Sequence, residues 1–285
     1  MLSFVQILVL SVVQGACELL PVSSSAHVIA VEKWMHLNPS TPEMVMFLLM
    51  LHTGTMFAVI AYFWADWRRH CFASKAQFQW FAMQILLATA CTGVVGLILQ
   101  QILEKGFMHA NPKAEVEDLF NNLPLIAGAL VAAGILILIA GIRESKAPRN
   151  PDIQPCHSLW IGIVQGFCLP FRGFSRSGAT ISTGLLMGLP KKKLEEFSFA
   201  LAVVLTPLVI GHEVHRLFKY HGLGDHISIS NLVITCLAGM VLSFVAGLLA
   251  LKWLSRWLEA GRWKFFGFYC LFAAAGILLI HFKAH

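Results

Sequence analysis

The stretch from Leu123 to Ile142, LPLIAGALVAAGILILIAGI, contains twenty residues and no charged side chain. About 20 apolar residues make a helix long enough to cross the hydrocarbon core of a bilayer. The whole chain has this character, because 57% of its 285 residues are hydrophobic and only 13% are charged. Soluble domains are nearer ~45–50% apolar and ~25% charged. The composition therefore excludes a soluble fold, intrinsic disorder and a secreted disulfide scaffold, and it indicates an integral membrane protein.

Six apolar runs are long enough to span a membrane as helices. They cover residues 44–64, 80–103, 123–142, 194–211, 232–252 and 265–282. Two further apolar stretches are interrupted, the first at Pro21 and the second at Pro170, each with polar residues nearby. Backbone breaks inside a membrane only where protein or a watery cavity satisfies its polar groups. We therefore predict two re-entrant helical hairpins, at 1–31 and at 158–190. The first lacks the basic start of a signal peptide.

The two interrupted stretches share a motif. Residues 13–17 (VQGAC) and 164–168 (VQGFC) match at four of five positions. Each motif is followed by a serine-containing break and then by three predicted spans. The pattern predicts one integral membrane domain, residues 1–285, with repeat one at about 1–142 and repeat two at about 158–282.

The basic residues predict the orientation of the chain. If both hairpins return to the side they entered from and segment 65–79 is cytoplasmic, 13 Lys and Arg residues lie in cytoplasmic segments and six in outward segments. This bias fits the positive-inside rule, and it argues against nucleic-acid binding despite the net charge of +6. The hairpins then enter from opposite sides. The predicted fold is an all-α polytopic membrane protein with six transmembrane helices and two re-entrant helical hairpins in an inverted-topology repeat, which places sites near the midplane.

The first break collects polar side chains that are costly in lipid and therefore indicate function. On a helix, Gln14 and Glu18 are four residues apart and share a face, where they could hold a divalent cation, orient a water or simply face solvent. The break continues with Ser23, Ser24 and Ser25, which could cap the next helix. His27 follows closely, and a serine with a histidine is the minimal pair for a hydroxyl nucleophile and its proton acceptor or donor.

The second break, residues 173–180 (GFSRSGAT), has the composition of an anion site. Glycines let backbone approach a ligand, and the N–H groups at a helix start bind anions. Arg176 offers a planar fork that suits phosphate oxygens, or it could form a structural ion pair with Glu18. Arg172 adds a second charge. Besides Arg176, the candidate phosphate-binding residues are Gly173, Ser175, Ser177, Gly178 and Thr180 here and Gln14, Ser23 and Ser25 in the first break.

Other polar residues favour simpler interpretations. His52, His212 and His215 are typical of interfacial or helix-packing histidines. The seven cysteines show no metal-binding spacing and are interpreted as packing residues.

The two breaks resemble the paired signatures of the bacterial undecaprenyl-pyrophosphate phosphatase family. The first signature is carried by Gln14 and by residues 18–27 (ELLPVSSSAH), and the second by residues 173–180 followed by residues 196–199 (EFSF). The resemblance runs the length of the chain. The chain departs from the second signature by the insertion of Phe171 and Arg172 after Pro170.

The resemblance implies hydrolysis of undecaprenyl diphosphate to undecaprenyl phosphate and inorganic phosphate, which recycles the lipid carrier of cell-wall synthesis. It implies Ser24 as nucleophile or water-positioning group, His27 as acid/base or orienting group and Arg176 as phosphate clamp. Glu18, with Gln14, would handle a proton or a divalent cation, Mg²⁺ or Ca²⁺.

The same resemblance implies a multi-pass protein of the bacterial cytoplasmic (inner) membrane, with its active site facing the periplasm. The lipid diphosphate and the bilayer are the implied partners. A homodimer is possible, and the resemblance does not decide it. The rival interpretation is a transporter or flippase of a lipid phosphate or other anion, because inverted repeats with broken helices are a transporter architecture.

Overall fold

The structure is a computed structural model that describes residues 2–39, 41–110, 122–143, 152–220 and 229–283. Within these ranges the protein is entirely helical, as predicted. The ten helices are α1 (Phe4–Leu19), α2 (Ser24–Trp34), α3 (Pro42–His70), α4 (Lys75–Ala110), α5 (Leu123–Arg143), α6 (Pro155–Cys168), α7 (Arg176–Leu186), α8 (Lys191–Tyr220), α9 (Ile229–Glu259) and α10 (Lys264–Lys283).

Six of these helices are long and apolar enough to cross a membrane, which confirms the number of predicted spans. The candidate spans are Pro42–His70, Lys75–Leu103, Leu123–Arg143, Lys191–His215, Ser230–Glu259 and Lys264–Phe282. They extend past the apolar runs because polar and aromatic residues at the membrane boundary continue the same helices. The predicted loops that contain residues 111–121, 144–151 and 221–228 lie outside the described residues.

Both interrupted stretches form two short helices separated by a break, as the prolines predict. The first break follows α1, and Ser23 adopts a left-handed φ of 68° just before α2 begins. In the second, the side chain of Ser175 accepts a hydrogen bond from the Gly178 N–H and thereby caps α7. The helix–break–helix arrangement is therefore present. Re-entry of each pair into the membrane and the inverted topology stay predictions, because both depend on the position of the bilayer.

The two halves of the chain pack reciprocally around the breaks. Helix α1 lies against α9, and α6, which carries the matching motif, lies against α4. Helix α5 packs along α10, while α7 contacts α5 and α8. Each broken helix pair is therefore held largely by spans of the other half. This exchange is what two copies of one five-helix unit would produce, although the repeat boundaries stay a prediction.

Small residues allow the broken helices to approach the spans closely, as is usual between helices in membranes. A Cβ at Gly162 of α6 would overlap the backbone oxygen of Ala88 on α4. At the same contact, the Thr92 hydroxyl donates to the Gly162 carbonyl at 3.0 Å. The absence of a side chain at Gly162 is therefore required for α6 to pack on α4.

We expect Gly162→Ala to lower the thermal unfolding midpoint by several degrees in detergent micelles. The added methyl would collide with backbone rather than with a movable side chain, and such overpacking costs about 1–3 kcal/mol. Gly93→Ala on α4 is the matched control, because its Cβ would meet nothing within 4 Å. Equal shifts for the two variants would contradict this account of the contact.

Candidate active site

The Glu18 carboxylate lies where the two breaks meet, and it contacts both of them. The Ser24 hydroxyl donates a hydrogen bond to Glu18 Oε2 at 2.5 Å. Arg176 Nη2 donates to Glu18 Oε1 at 3.2 Å, which forms an ion pair between the first and second broken helix pairs. The structure therefore brings together three of the four predicted catalytic residues.

Backbone contacts hold the two breaks against each other. The Gly173 N–H donates to the Ser25 hydroxyl at 3.3 Å, and the Ser177 hydroxyl donates to the Leu20 carbonyl at 3.3 Å. Gly173 has a φ of +107°, and a Cβ there would overlap the Ile126 carbonyl oxygen. Only glycine satisfies both constraints. The position of Arg176 relative to Ser24 is thus set by the backbone as well as by the ion pair.

Arg176 has a donor that no other described residue uses. Its Nη1 atom is buried and has no hydrogen-bond partner among the described residues. A buried donor without an acceptor costs about 1–3 kcal/mol, so an oxygen of a ligand or of a water is expected at this atom. Because Nη2 is held by Glu18, the guanidinium is already oriented, and Nη1 is available to an oxygen of a bound anion.

His52 of α3, which the sequence suggests is an interfacial or helix-packing histidine, lies at the same site. The Gln14 side-chain amide donates to His52 Nδ1 at 2.9 Å and to Glu18 Oε2 at 3.2 Å. The His52 Nδ1 atom itself lies 3.7 Å from Glu18 Oε2. The available signal was the location of an ionisable residue inside the predicted span 44–64, which by itself marks a candidate functional residue.

His27 is held away from Ser24 by two other partners. Its Nδ1 donates to the Ser23 carbonyl at 2.8 Å, and its Nε2 lies 2.8 Å from the hydroxyl of Tyr269, a residue of α10. The two rings are stacked with centroids 5.6 Å apart. Because a carbonyl can only accept, Nδ1 carries a proton, and in the neutral ring Nε2 accepts from Tyr269. Nothing in the sequence around Tyr269 indicated this contact.

The predicted phosphate-binding hydroxyls are engaged within the protein. The Ser23 and Ser25 hydroxyls lie 3.2 Å apart, and the Thr180 hydroxyl lies 2.6 Å from that of Ser198 while also donating to the Arg176 carbonyl at 2.9 Å. Ser175 and Gly178 form the cap of α7, and Ser177 bonds to Leu20. These groups build the site, and phosphate binding by Gly173, Ser175, Ser177, Gly178, Thr180, Ser23 or Ser25 stays a prediction.

The side chains around Gln14 have the donor chemistry for a divalent cation. The amide nitrogen of Gln14 donates to two acceptors, Glu18 Oε2 and His52 Nδ1. The same nitrogen lies 3.5 Å from His52 Nε2, and a reversed amide would instead offer the Gln14 oxygen beside Glu18. Carboxylate and amide oxygens are ligands of Mg²⁺ and Ca²⁺, while imidazole is a ligand of transition metals. The residues present therefore fit a divalent cation.

The fold and this site define a class, namely a multi-span helical membrane protein in which two broken helices join a carboxylate, a serine and an arginine. Comparison with known proteins agrees with this description. The profile of the family described as bacitracin resistance protein BacA matches residues 7–276, and the chain belongs to that family.

Three relatives are similar over almost the whole chain. Undecaprenyl-diphosphatase 2 of Acinetobacter baylyi is 52% identical, over 98% of both chains. Undecaprenyl-diphosphatase 2 of Burkholderia ambifaria is 33% identical, over 94% of both chains. Undecaprenyl-diphosphatase of Desulfitobacterium hafniense is 30% identical, over 97% of this chain and 95% of its own. The resemblance seen in the two breaks is thereby confirmed.

We expect inorganic phosphate to raise the thermal unfolding midpoint of the protein and to have little effect on Arg176→Gln. A ligand at about 100 times its dissociation constant stabilises the folded state by ~2.7 kcal/mol, and the variant lacks both the charge and the unused donor. Arg262→Gln, which removes an exposed arginine, should respond to phosphate like the unmodified protein. The same stabilisation in Arg176→Gln would place the anion elsewhere.

Proposed function

We propose that this protein hydrolyses undecaprenyl diphosphate to undecaprenyl phosphate and inorganic phosphate. The observation that carries the proposal is the Glu18 carboxylate, which contacts the Ser24 hydroxyl at 2.5 Å and Arg176 at 3.2 Å in a membrane protein. The printed names of the relatives support the same substrate. A transporter of lipid phosphate would need the arginine, but it would have no use for a serine bonded to a carboxylate.

The terminal phosphate binds at Arg176 in this proposal. The unused Nη1 donor accounts for one phosphate oxygen, and the N–H groups at the start of α7 lie on the same segment. Phosphoryl transfer depends mostly on positioning and on stabilising the charge of the equatorial oxygens. A guanidinium already oriented by Glu18 does this with little reorganisation, which favours the transition state.

Ser24 then attacks the terminal phosphorus, and its proton passes to Glu18 Oε2, the atom that already accepts the hydrogen bond. The bond from phosphorus to the bridging oxygen breaks, and undecaprenyl phosphate leaves with that oxygen. Water hydrolyses the resulting phosphoserine and releases inorganic phosphate. Glu18 is the proton acceptor in this scheme, because His27 has both ring nitrogens engaged by other partners.

A divalent cation, Mg²⁺ or Ca²⁺ by resemblance to the family, belongs to the proposal as well. Glu18 and Gln14 would hold it, because the Gln14 amide lies beside Glu18 Oε2 next to Ser24 and would offer its oxygen if reversed. When bound, the cation supplies positive charge that offsets the charge of the diphosphate. Gln14 is 2% exposed, so its amide can be held in position for this purpose.

His27 acts as an orienting residue in this proposal. Its bond to the Ser23 carbonyl ties the imidazole to the residue that immediately precedes Ser24. Tyr269 holds the other side of the ring, so α10 contributes to the orientation of the serine-bearing break. A packed and doubly bonded imidazole stiffens the chain around Ser24, and a well-positioned nucleophile is worth several orders of magnitude in rate.

The multi-span architecture and the bacterial relatives support a location in the bacterial cytoplasmic membrane. We further propose that the site opens to the periplasm, in line with the distribution of basic residues. The prenyl chain would remain in lipid between the spans while the diphosphate reaches Arg176. The homodimer that the resemblance leaves open stays a prediction.

Purified protein should release phosphate from a long-chain prenyl diphosphate, and EDTA should suppress the release. Ser24→Ala and Glu18→Gln should each lower kcat by roughly a thousandfold or more, because they remove the nucleophile and its proton acceptor. Ser74→Ala, which alters an exposed helix cap, should behave like the unmodified protein. Transfer of lipid phosphate across vesicles without any release would favour the transporter instead.

Tyr269→Phe should lower kcat about three- to tenfold while leaving KM nearly unchanged, because it removes one hydrogen bond worth about 1 kcal/mol from His27. In a His27→Gln background, the same change should have little further effect. Tyr62→Phe, which removes a hydroxyl bonded to Ser255, provides the matched control. Equal losses from Tyr269→Phe in both backgrounds would show that Tyr269 does not act through His27.

A further inference from the structure

We propose that Ser198 of α8 is a positioning residue for Arg176, and that it acts through the hydroxyl of Thr180. Residues 196–199 (EFSF) belong to the second signature, yet no step of the proposed reaction uses them. The inference rests on the proposed function and deepens it, because it concerns how the phosphate-binding arginine is held in place.

A chain of buried hydrogen bonds runs from α8 to the first residue of α7. The hydroxyls of Ser198 and Thr180 lie 2.6 Å apart, and the Thr180 hydroxyl donates to the Arg176 carbonyl at 2.9 Å. The Ser177 carbonyl lies 3.4 Å from the same hydroxyl and makes a longer contact with it. Ser198 is 1% exposed and Thr180 is 0% exposed, so water does not compete for these bonds.

The direction of the bonds follows from the number of protons. A hydroxyl has one proton to donate, and a carbonyl can only accept. Because the Thr180 proton is directed to the Arg176 carbonyl, the Thr180 oxygen accepts from Ser198. Hydrogen bonds in such a chain polarise and strengthen one another in a buried environment. Loss of the Ser198 hydroxyl therefore weakens the bond between Thr180 and Arg176 as well.

Arg176 is held at both of its ends. Its Nη2 atom donates to Glu18 Oε1 at 3.2 Å, and its carbonyl accepts from Thr180. Since Arg176 is the first residue of α7, the second contact fixes the helical turn from which the side chain extends. The direction of Nη1, the donor that no other described residue uses, is thus set by α8 as well as by α1.

The part of α8 that carries Ser198 is itself anchored to α3. The Trp67 indole N–H donates to the Glu196 carbonyl at 3.2 Å. Phe199 is 0% exposed and stacks on Phe63 with ring centroids 5.4 Å apart. Supporting groups that are locked by packing hold a functional side chain more precisely than mobile ones do. Ser198 is therefore a fixed donor, and α7 is adjusted to it rather than the reverse.

The test is the binding of inorganic phosphate to the purified full chain, measured as the shift of the thermal unfolding midpoint during a phosphate titration. We expect Ser198→Ala to weaken phosphate binding about three- to tenfold, which is the value of one hydrogen bond. Thr180→Val keeps the shape of the side chain without its hydroxyl and should have a similar effect. The double variant should lose little more than either single variant, because both changes break one chain. Thr180→Ser, which keeps the hydroxyl, should lose much less.

Ser158→Ala is the matched control for loss of a buried hydroxyl. Ser158 is 0% exposed and donates to the Gln84 side chain at 2.6 Å, between α6 and α4. This variant should lower the unfolding midpoint in the absence of phosphate about as much as Ser198→Ala does, while its phosphate affinity stays that of the unmodified protein. A purely structural role of Ser198 would instead give the two variants the same phosphate affinity.

Unchanged phosphate affinity in Ser198→Ala would overturn the inference, and so would an equal loss in Ser158→Ala or a lack of phosphate binding by the unmodified protein. Phosphate release from a long-chain prenyl diphosphate is a separate readout. A protein whose phosphate affinity depends on Ser198 but that releases no phosphate would refute the proposed function and leave this inference standing. Release by the unmodified protein, with full phosphate affinity in Ser198→Ala, would do the reverse.

Discussion

The ion pair between Glu18 and Arg176 is the contact on which the arrangement of the site depends. The two residues come from different halves of the chain, and their side chains are 17% and 20% exposed. Removing one member of a poorly hydrated pair leaves a charge without a partner, which is far more costly than the modest net value of the pair itself. The pair therefore acts chiefly as a positional constraint, since it requires the first and second breaks to meet at one point.

Every other feature of the site is arranged around that constraint. Because Arg176 occupies Oε1, the second carboxylate oxygen is left for Ser24, and one guanidinium nitrogen is left for a ligand. A single carboxylate thus contacts both the proposed nucleophile and the proposed phosphate-binding group. The hydroxyls and glycines of the breaks complete the arrangement through backbone contacts that hold the two breaks together and cap α7. Their role explains why a break rich in serine and glycine need not place every hydroxyl on a ligand.

Much of this architecture could be predicted from the sequence. The features that could not be predicted were missed for one common reason. The six spans follow from apolar runs, and the breaks follow from Pro21, Pro170 and the charges beside them. Glu18 and Arg176 were identified because a charge in an apolar stretch is costly and therefore marks a functional site. His52 and Tyr269 were missed because each lies within a span, where a single polar residue resembles a boundary or packing residue. Both residues are far in sequence from the breaks. Their contacts with the first break form only when α3 and α10 pack against it, so the sequence does not reveal them.

The matched motifs place different residues at equivalent positions of the candidate site. Gln14 and Gln165 occupy the same position in VQGAC and VQGFC, but the residue four positions later is Glu18 in one half and Leu169 in the other. Gln165 is fully buried and donates to Thr92 on α4, whereas Gln14 donates into the site. The second half contributes the arginine and no carboxylate at this point. Neither half therefore contains a complete site, and the reciprocal packing of α1 on α9 and α6 on α4 is what brings the acid of one half to the arginine of the other.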